Sequence, residues 1–338
     1  MSGLIRTFIL AMVAAGTCHT AGAQTLKIVK DRGMLMCGVG QGLAGFSQPD
    51  GNGNWIGFDV DFCRALAAAI FNDSKRVLYV PYSAGARFPA LQSRAIDVLS
   101  RNSTWTMSRD TELGLSFPVT TYFDGQGFMV PRSLKTEAAL DLGGASVCVQ
   151  SDTTTNLNLL DFFRANKMKL EALTFGTFEE ALRAYDSGRC KVLTADVSQL
   201  YALRLSLARP DEQVILAEII SKEPLGPVVR GDDMQWFAIV RWTHFAMIIA
   251  EELGVSSQTI DEALRSDKPE IRRLVGAEGS YGEHLGLSKE WAAQIIRLVG
   301  NYGEVFNRNI GDSSNLSIAR GLNDLWTRGG IQYAPPIR

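Results

Sequence analysis

The chain has 338 residues, of which 46% are hydrophobic and 21% are charged. This is an ordinary globular composition, and the length is enough for about two domains. The 34 basic and 36 acidic residues leave a formal net charge of −2. The composition therefore gives no electrostatic basis for binding nucleic acid or an anionic membrane surface.

The N-terminal residues predict an export signal. Arg6 supplies a positive charge, residues 7–16 form a short apolar run, and residues 21–23 fit a small-x-small cleavage site. The apolar run is too short to cross a bilayer core of about 30 Å, which argues against a membrane anchor. We therefore expect residues 1–23 to be a signal peptide and the mature protein to be periplasmic.

Four cysteines follow the expected cleavage site, and an even number in an exported chain favours disulfides over free thiols. We expect a Cys37–Cys63 pair, since Cys37 would lie on a first strand and Cys63 on the helix that covers it. We also expect a Cys148–Cys190 pair, on two strands of a second unit that can be neighbours. The alternative is four buried free thiols.

Apolar strand-like runs alternate with amphipathic helices in two successive stretches, which predicts an α/β fold with parallel sheets. The strands expected in the first stretch are residues 34–39, 76–80 and 96–99, and the helices are residues 58–70 and 86–94. The strands expected in the second stretch are residues 146–150, 170–175 and 191–194, and the helices are residues 153–165, a helix opened by the capping box Thr177-x-x-Glu180, and residues 198–207. Two further helices, residues 236–253 and 288–299, have no strand partners, and we expect them to pack on the first unit.

Several catalytic and cofactor motifs are excluded. Residues 40–45 match G-x-G-x-x-G after a strand, but Pro49, Gly51 and Gly53 follow where a dinucleotide site needs a helix. The sequence has no P-loop and no G-x-S-x-G elbow, and its three histidines and its cysteines have no zinc-ligand spacing. We therefore expect no cofactor, no metal and no catalytic residue.

A stretch rich in hydroxyl groups, residues 97–109, follows the third strand and ends in Arg109. A guanidinium can hold a carboxylate through two parallel charge-assisted hydrogen bonds, and nearby hydroxyls can complete the oxygen shell. The alternative is a surface turn with a solvated arginine.

Two further polar stretches follow strands of the second unit. Residues 152–155 (Asp-Thr-Thr-Thr) lie at a strand-to-helix junction, where a helix N-terminus can bind an anion or be capped by its own side chains. Asp196 ends a strand, which is where open α/β sheets place ligand-binding residues. Asp196 is a candidate to accept an ammonium group, with N-capping of the next helix as the alternative.

These three stretches, in this order, resemble the polar amino-acid-binding proteins of ABC importers, which have the type II periplasmic-binding fold and form bacterial extracellular solute-binding family 3. The resemblance covers nearly the whole mature chain. Residues 57–61 look like the family's G-F-D-v-D helix opening, and residues 90–93 and 96–98 look like parts of its P-A-L-Q-S-x-x-x-D-V segment. Four further segments resemble the general L-amino-acid-binding branch of the family, namely residues 100–109, 124–128, 222–227 and 236–242.

The resemblance also implies roles for individual residues. Arg109 matches the arginine that holds the α-carboxylate, with Thr104 as its hydroxyl partner. Asp196 matches the residue that accepts hydrogen bonds from the α-ammonium group. Asn102 falls where the backbone usually contacts the same ammonium group. The remaining implied ligand contacts are Thr153 and Thr154 at the helix of the second lobe and Phe46 as an aromatic that packs on the ligand.

At one position the sequence departs from the family. Asp152 stands where the family usually has glycine, just before the threonine pair. A carboxylate there either caps the helix or faces inward, where it would disfavour acidic ligands.

The resemblance implies a two-lobed molecule in which the chain crosses twice between the lobes. The expected first lobe comprises residues 24–127 and 228–338, the latter including a C-terminal helical extension, and the second lobe comprises residues 128–227. The implied function is a monomeric binding subunit that captures free L-amino acids and delivers them to an ABC permease in the inner membrane. The alternatives are a periplasmic dehydratase or lyase on the same scaffold, and a ligand-sensing subunit of a receptor.

Overall fold

The structure, a computed structural model, describes residues 25–338, so the predicted signal peptide lies outside the described residues. The strands in chain order are β1 (Leu35–Val39), β2 (Gln48–Pro49), β3 (Trp55–Ile56), β4 (Val77–Pro81), β5 (Val98–Thr104), β6 (Leu115–Ser116), β7 (Tyr122–Asp124), β8 (Gln126–Pro131), β9 (Ser146–Gln150), β10 (Glu171–Phe175), β11 (Val192–Asp196), β12 (Gln213–Ile215) and β13 (Glu223–Arg230).

The helices are α1 (Thr25–Arg32), α2 (Phe58–Phe71), α3 (Arg87–Gln92), α4 (Met107–Thr111), α5 (Thr154–Ala165), α6 (Phe178–Asp186), α7 (Val197–Arg204), α8 (Met234–Glu252), α9 (Ile260–Ala263), α10 (Pro269–Leu274), α11 (Tyr281–His284), α12 (Trp291–Leu298) and α13 (Tyr302–Asn309).

Two separate mixed sheets form the centres of two lobes. The first has the order β4-β1-β5-β13-β6, with β7 also paired to β13, and the second has the order β10-β9-β11-β8-β12. In each sheet the three strands of the predicted β-α-β-α-β unit are parallel, and the remaining pairings are antiparallel. The two-lobed α/β fold with parallel strands is confirmed, and β8 and β13, which the sequence did not indicate, add to each sheet in the opposite direction.

The chain passes twice between the two sheets. It leaves the first sheet at β7 and enters the second at β8 after the single residue Gly125, and it returns through residues 216–222 to β13. The two passages touch, since a Cβ atom on Gly125 would lie 2.2 Å from the side chain of Ile219 and 2.9 Å from the carbonyl oxygen of Ser221. Only glycine fits at this contact without displacing the second passage.

The C-terminal helices pack on the first lobe, as predicted. Apolar side chains of α8, α12 and α13 form one buried cluster with β1 and α2, and Trp236 and Ile295 are fully enclosed in it. The tail after α13 also contacts β7, where Asn323 accepts a hydrogen bond from the backbone amide of Phe123 and donates one to its carbonyl oxygen. Within residues 25–338, no helix combines the length and the apolar character needed to cross a bilayer.

Both predicted disulfides are confirmed. Cys37 on β1 is bonded to Cys63 on α2, with a Cα–Cα distance of 6.4 Å. Cys148 on β9 is bonded to Cys190, which lies just before β11, with a Cα–Cα distance of 5.8 Å. Each bond joins two elements of one lobe.

We expect that replacing both Cys148 and Cys190 with serine lowers the free energy of unfolding by about 2–4 kcal/mol, because this bond closes a loop with a sequence separation of 42. Urea denaturation of the wild-type and double-serine proteins, without reductant, measures the difference. Equal free energies of unfolding would contradict a stabilising role for this bond.

Candidate ligand-binding site

A pocket lies between the two lobes, with about 290 Å³ of space not filled by protein atoms. The first lobe contributes Arg87, Arg101, Asn102, Thr104 and Arg109 to its lining. The second lobe contributes Thr153, Thr154, Thr155, Phe178, Asp196 and Gln199. Six of the seven residues predicted to contact a ligand therefore line one pocket.

Arg109 approaches the pocket from the first lobe. Residues up to Thr104 belong to the extended strand β5, and Thr106 caps α4 by accepting a hydrogen bond from the amide of Arg109. One Nη of the guanidinium donates to the carbonyl oxygen of Thr104 at 2.8 Å, and its central carbon lies 5.1 Å from the ring centre of Phe88. These contacts hold the half-buried guanidinium at the pocket.

Asp196 faces the pocket from the second lobe, at the end of β11. It stands at the N-cap position of α7, yet within residues 25–338 its side chain makes no capping hydrogen bond, and its buried Oδ1 has no partner. Asp124 takes over the capping role, since it accepts hydrogen bonds from the amide and hydroxyl groups of Ser198. The carboxylate of Asp196, only 5% exposed, is thereby left for a donor from outside the protein.

The environment of Asp196 raises the pKa of its carboxyl group well above the usual aspartate value. Burial is the largest cause, and the negative charges of Asp124 and Glu223 add to it. Arg109 and Arg101 act in the opposite direction. A buried carboxylate without a partner is costly, and an ammonium group is the ligand part that would relieve this cost.

The amino end of α5 faces the pocket from the second lobe. Thr153 is the N-cap residue and accepts a hydrogen bond from the amide of Asn156. Asp152 neither lines the pocket nor caps the helix, and its side chain is exposed. Asp152 has a φ of 58°, in the left-handed region that favours glycine. This backbone conformation accounts for the glycine that the family usually has at this position.

Glu223, the first residue of β13, joins the two lobes behind the pocket. Its buried carboxylate accepts hydrogen bonds from the hydroxyls of Thr104 and Thr154 and from the side-chain amide of Asn158. Ser221 donates a further hydrogen bond. One carboxylate therefore holds the end of β5 in the first lobe against the first turns of α5 in the second.

The sequence reasoning missed several residues at this site. Its new members are Arg87, Arg101, Thr155, Phe178 and Gln199 in the lining, with Asp124 and Glu223 behind it. Glu223 lies in a segment that the resemblance had marked, but only its side-chain contacts reveal its position. Phe46 does not line the pocket. It is 1% exposed and packs edge-on against Phe58 and Tyr122 in the core of the first lobe.

A second, wider groove on the first lobe is lined in part by Trp55, Tyr79 and Asp61. Three of its charged groups are already paired with one another, because Asp61 accepts hydrogen bonds from Arg64 and Arg308. In the part of the chain that the structure describes, no group of three or more histidine, cysteine, aspartate or glutamate side chains could hold a metal ion. The interlobe pocket is therefore the candidate site.

Comparison with known protein families decides the family of the chain. The family model of bacterial extracellular solute-binding proteins, family 3, matches residues 35–276. The chain belongs to this family. The match ends before α11, so the C-terminal extension lies outside it.

Named relatives of this solute-binding protein cover almost its full length. The general L-amino acid-binding periplasmic protein AapJ of Rhizobium johnstonii is 55% identical over 337 residues, with 99% of each chain covered. The glutamate/glutamine/aspartate/asparagine-binding protein BztA of Rhodobacter capsulatus is 50% identical over 330 residues, with 97% of each chain covered. These relatives are binding proteins and not enzymes.

A solved structure agrees with the fold of this solute-binding protein. It is an ABC transporter periplasmic binding protein from Brucella ovis with glutathione bound, and it is 54% identical with a TM-score of 0.92. The match covers 94% of this chain and all of the other. The arginine-bound arginine-binding protein of T. maritima, at 24% identity and a TM-score of 0.56, shares the fold and covers 64% of this chain.

We expect Glu223→Ala to lower the free energy of unfolding by about 2–4 kcal/mol, because one buried and three partly buried donors lose their acceptor. Glu223→Gln should cost less, since the amide oxygen still accepts hydrogen bonds. Urea denaturation measures both, with the exposed Glu171→Ala as the control. Equal stability of the Glu223→Ala and Glu171→Ala proteins would contradict this role.

Proposed function

We propose that this protein binds free L-amino acids in the interlobe pocket and delivers them to the membrane permease of an ABC importer. Its full-length relatives are named as amino-acid-binding proteins, and two of them, AapJ and BztA, bind several amino acids according to their names. The pocket contains a guanidinium group from one lobe and a buried carboxyl group from the other.

The observation that carries the proposal is the arrangement of Arg109 and Asp196. The two groups belong to different lobes and line one pocket, and the buried oxygen of Asp196 has no partner among residues 25–338. An L-amino acid presents a carboxylate and an ammonium group that are both bonded to one α-carbon. Arg109 would bind the carboxylate, and Asp196 would bind the ammonium group.

The amino end of α5 supports the carboxylate side of the site. The first backbone amides of a helix and the positive end of its dipole favour an anion. Thr153, Thr154 and Thr155 line the pocket there. We infer that Thr154 and Thr104, which are bridged by Glu223, bring the two lobes together around the α-carboxylate.

Glutathione in the Brucella ovis structure is compatible with the same arrangement. The glutamyl end of glutathione carries a free α-amino and a free α-carboxyl group, as an amino acid does. Because that whole chain is matched at 54% identity, we expect a ligand of related chemistry here.

We further propose that the two passages between the sheets are hinges. The boundaries expected from the resemblance were residues 24–127 with 228–338 for the first lobe and residues 128–227 for the second. The strand bounds favour slightly different hinges, at Gly125 and at residues 216–222. A ligand held by both lobes binds the closed form better and shifts the equilibrium toward it, and the closed form is what a permease would recognise.

The cellular setting follows from the family and the disulfides. Membership in an extracellular solute-binding family and two disulfide bonds fit an oxidising compartment outside the inner membrane. We propose that residues 1–23 are removed as a signal peptide and that the mature protein acts in the periplasm as a monomer.

We expect Arg109→Ala to weaken amino-acid binding by more than about 2 kcal/mol, because the α-carboxylate would lose its charged partner inside a closed pocket. Isothermal titration calorimetry with the amino acid that most raises the melting temperature measures this loss. The exposed Arg164→Ala in the second lobe is the control and should bind like the wild type. An unchanged affinity of Arg109→Ala would refute the proposed role.

We also expect amino-acid affinity to fall as the pH is lowered from 8 to 5. The raised pKa of Asp196 means that the free protein takes up a proton there at a higher pH than an ordinary aspartate does. The ligand ammonium binds the ionised carboxylate, so binding must then release that proton.

Calorimetry in two buffers of different ionisation enthalpy measures the released proton. Asp196→Asn should bind weakly and release no proton from this site. Proton release that persists in Asp196→Asn would assign it to another group.

A further inference from the structure

The pocket contains more positive groups than a single zwitterion uses. Arg87, Arg101 and Arg109 all line it from the first lobe, whereas Asp196 is the lining carboxylate. The α-carboxylate and α-ammonium of an amino acid would occupy Arg109 and Asp196. Two guanidinium groups then remain for the rest of the ligand.

Both remaining arginines are buried and have hydrogen-bonding capacity to spare. Arg87 is 3% exposed, and its Nε has no partner among residues 25–338, although one Nη donates to the carbonyl oxygen of Ala84. Arg101 is 8% exposed and donates its Nε–H to the carbonyl oxygen of Tyr82. The ion pairs formed within the described chain include neither of them.

The carboxylates nearby are engaged elsewhere. Asp59 accepts hydrogen bonds from the amide of Asn102 and the hydroxyl of Ser100, and Glu223 is fully engaged by the donors described above. Asp152 and Glu179 are exposed to solvent, which weakens their attraction for the arginines. These charges offset part of the positive potential but leave the spare N–H donors unoccupied.

The arginines also destabilise one another's charged forms. Burial lowers the pKa of Arg101 to about 10, with the charge of Arg109 contributing and that of Asp59 opposing. Burial, Arg101 and Arg109 lower the pKa of Arg87 well below its usual range. A ligand anion placed between Arg87 and Arg101 would relieve this repulsion and satisfy the free donors.

We propose that Arg101 and Arg87 form a subsite for a second carboxylate, so that the protein binds acidic amino acids more tightly than their amides. This inference rests on the proposed function, since it places the side chain of a ligand whose α-groups are held by Arg109 and Asp196. The carboxylate of Asp152, which stands where the family usually has glycine, does not disfavour an acidic ligand in this subsite, because Asp152 does not line the pocket.

The test compares L-glutamate with L-glutamine, which have nearly the same shape but differ in side-chain charge. We expect the wild type to bind L-glutamate about 10- to 100-fold more tightly in calorimetry at pH 7.5, as one or two charge-assisted hydrogen bonds would give. High salt should reduce this preference only slightly, since the groups are buried. Equal affinities for the two ligands in the wild type would overturn the proposal without any mutation.

Two variants locate the subsite. Arg101→Gln should lower L-glutamate affinity at least about tenfold and change L-glutamine affinity less than about threefold, and Arg101→Lys should keep part of the preference. Arg87→Gln should act in the same direction, and the exposed Arg164→Gln should change neither affinity. Equal losses for both ligands in Arg101→Gln would overturn the assignment and indicate a general structural role.

The outcomes separate this inference from the proposed function. Binding of L-glutamine and L-alanine without any preference for L-glutamate contradicts the second-carboxylate subsite alone. Failure of the wild type to bind any amino acid contradicts the proposed function and, with it, the subsite.

Discussion

The site depends on one buried carboxylate that the fold leaves without a partner. Asp196 occupies an N-cap position, but Asp124 performs the capping, so the Asp196 oxygen faces the pocket with its hydrogen-bonding capacity unused. Leaving a buried charged acceptor unpaired costs stability, and natural proteins retain such groups where function requires them. Arg109 is fixed on the facing lobe by its own backbone contact. Under the proposed function, the ammonium group of the ligand pairs with Asp196 and its carboxylate pairs with Arg109.

The two lobes are connected by contacts that lie beside the pocket. Glu223 begins the strand that returns to the first sheet and binds hydroxyls from both lobes, Thr104 on one side and Thr154 on the other. The passages between the sheets touch at Gly125, where no side chain fits. The C-terminal tail lies outside the matched family region. Its Asn323 is hydrogen-bonded to the backbone of β7, the strand that leads into the first passage. The pocket, the two passages and the tail are therefore in contact with one another.

Much of this was accessible from the sequence, and the failures have physical causes. Alternating apolar runs indicated both β-α-β-α-β units, and cysteine positions indicated both disulfides, because these signals are local. The antiparallel strands β8 and β13 were missed since their pairing depends on distant partners. The roles of Glu223 and Arg101 were also missed, because they depend on contacts with residues that are distant in the sequence. Phe46 was placed by resemblance, but it packs in the core beside Phe58.

A crystal structure of the protein with a bound L-amino acid tests the central claim most directly. The account predicts the ligand carboxylate forked by the guanidinium of Arg109 and the ligand ammonium within hydrogen-bonding distance of Asp196, with both lobes in contact with it. A ligand bound at the outer groove of the first lobe, or bound between the lobes with its ammonium group away from Asp196, would contradict it.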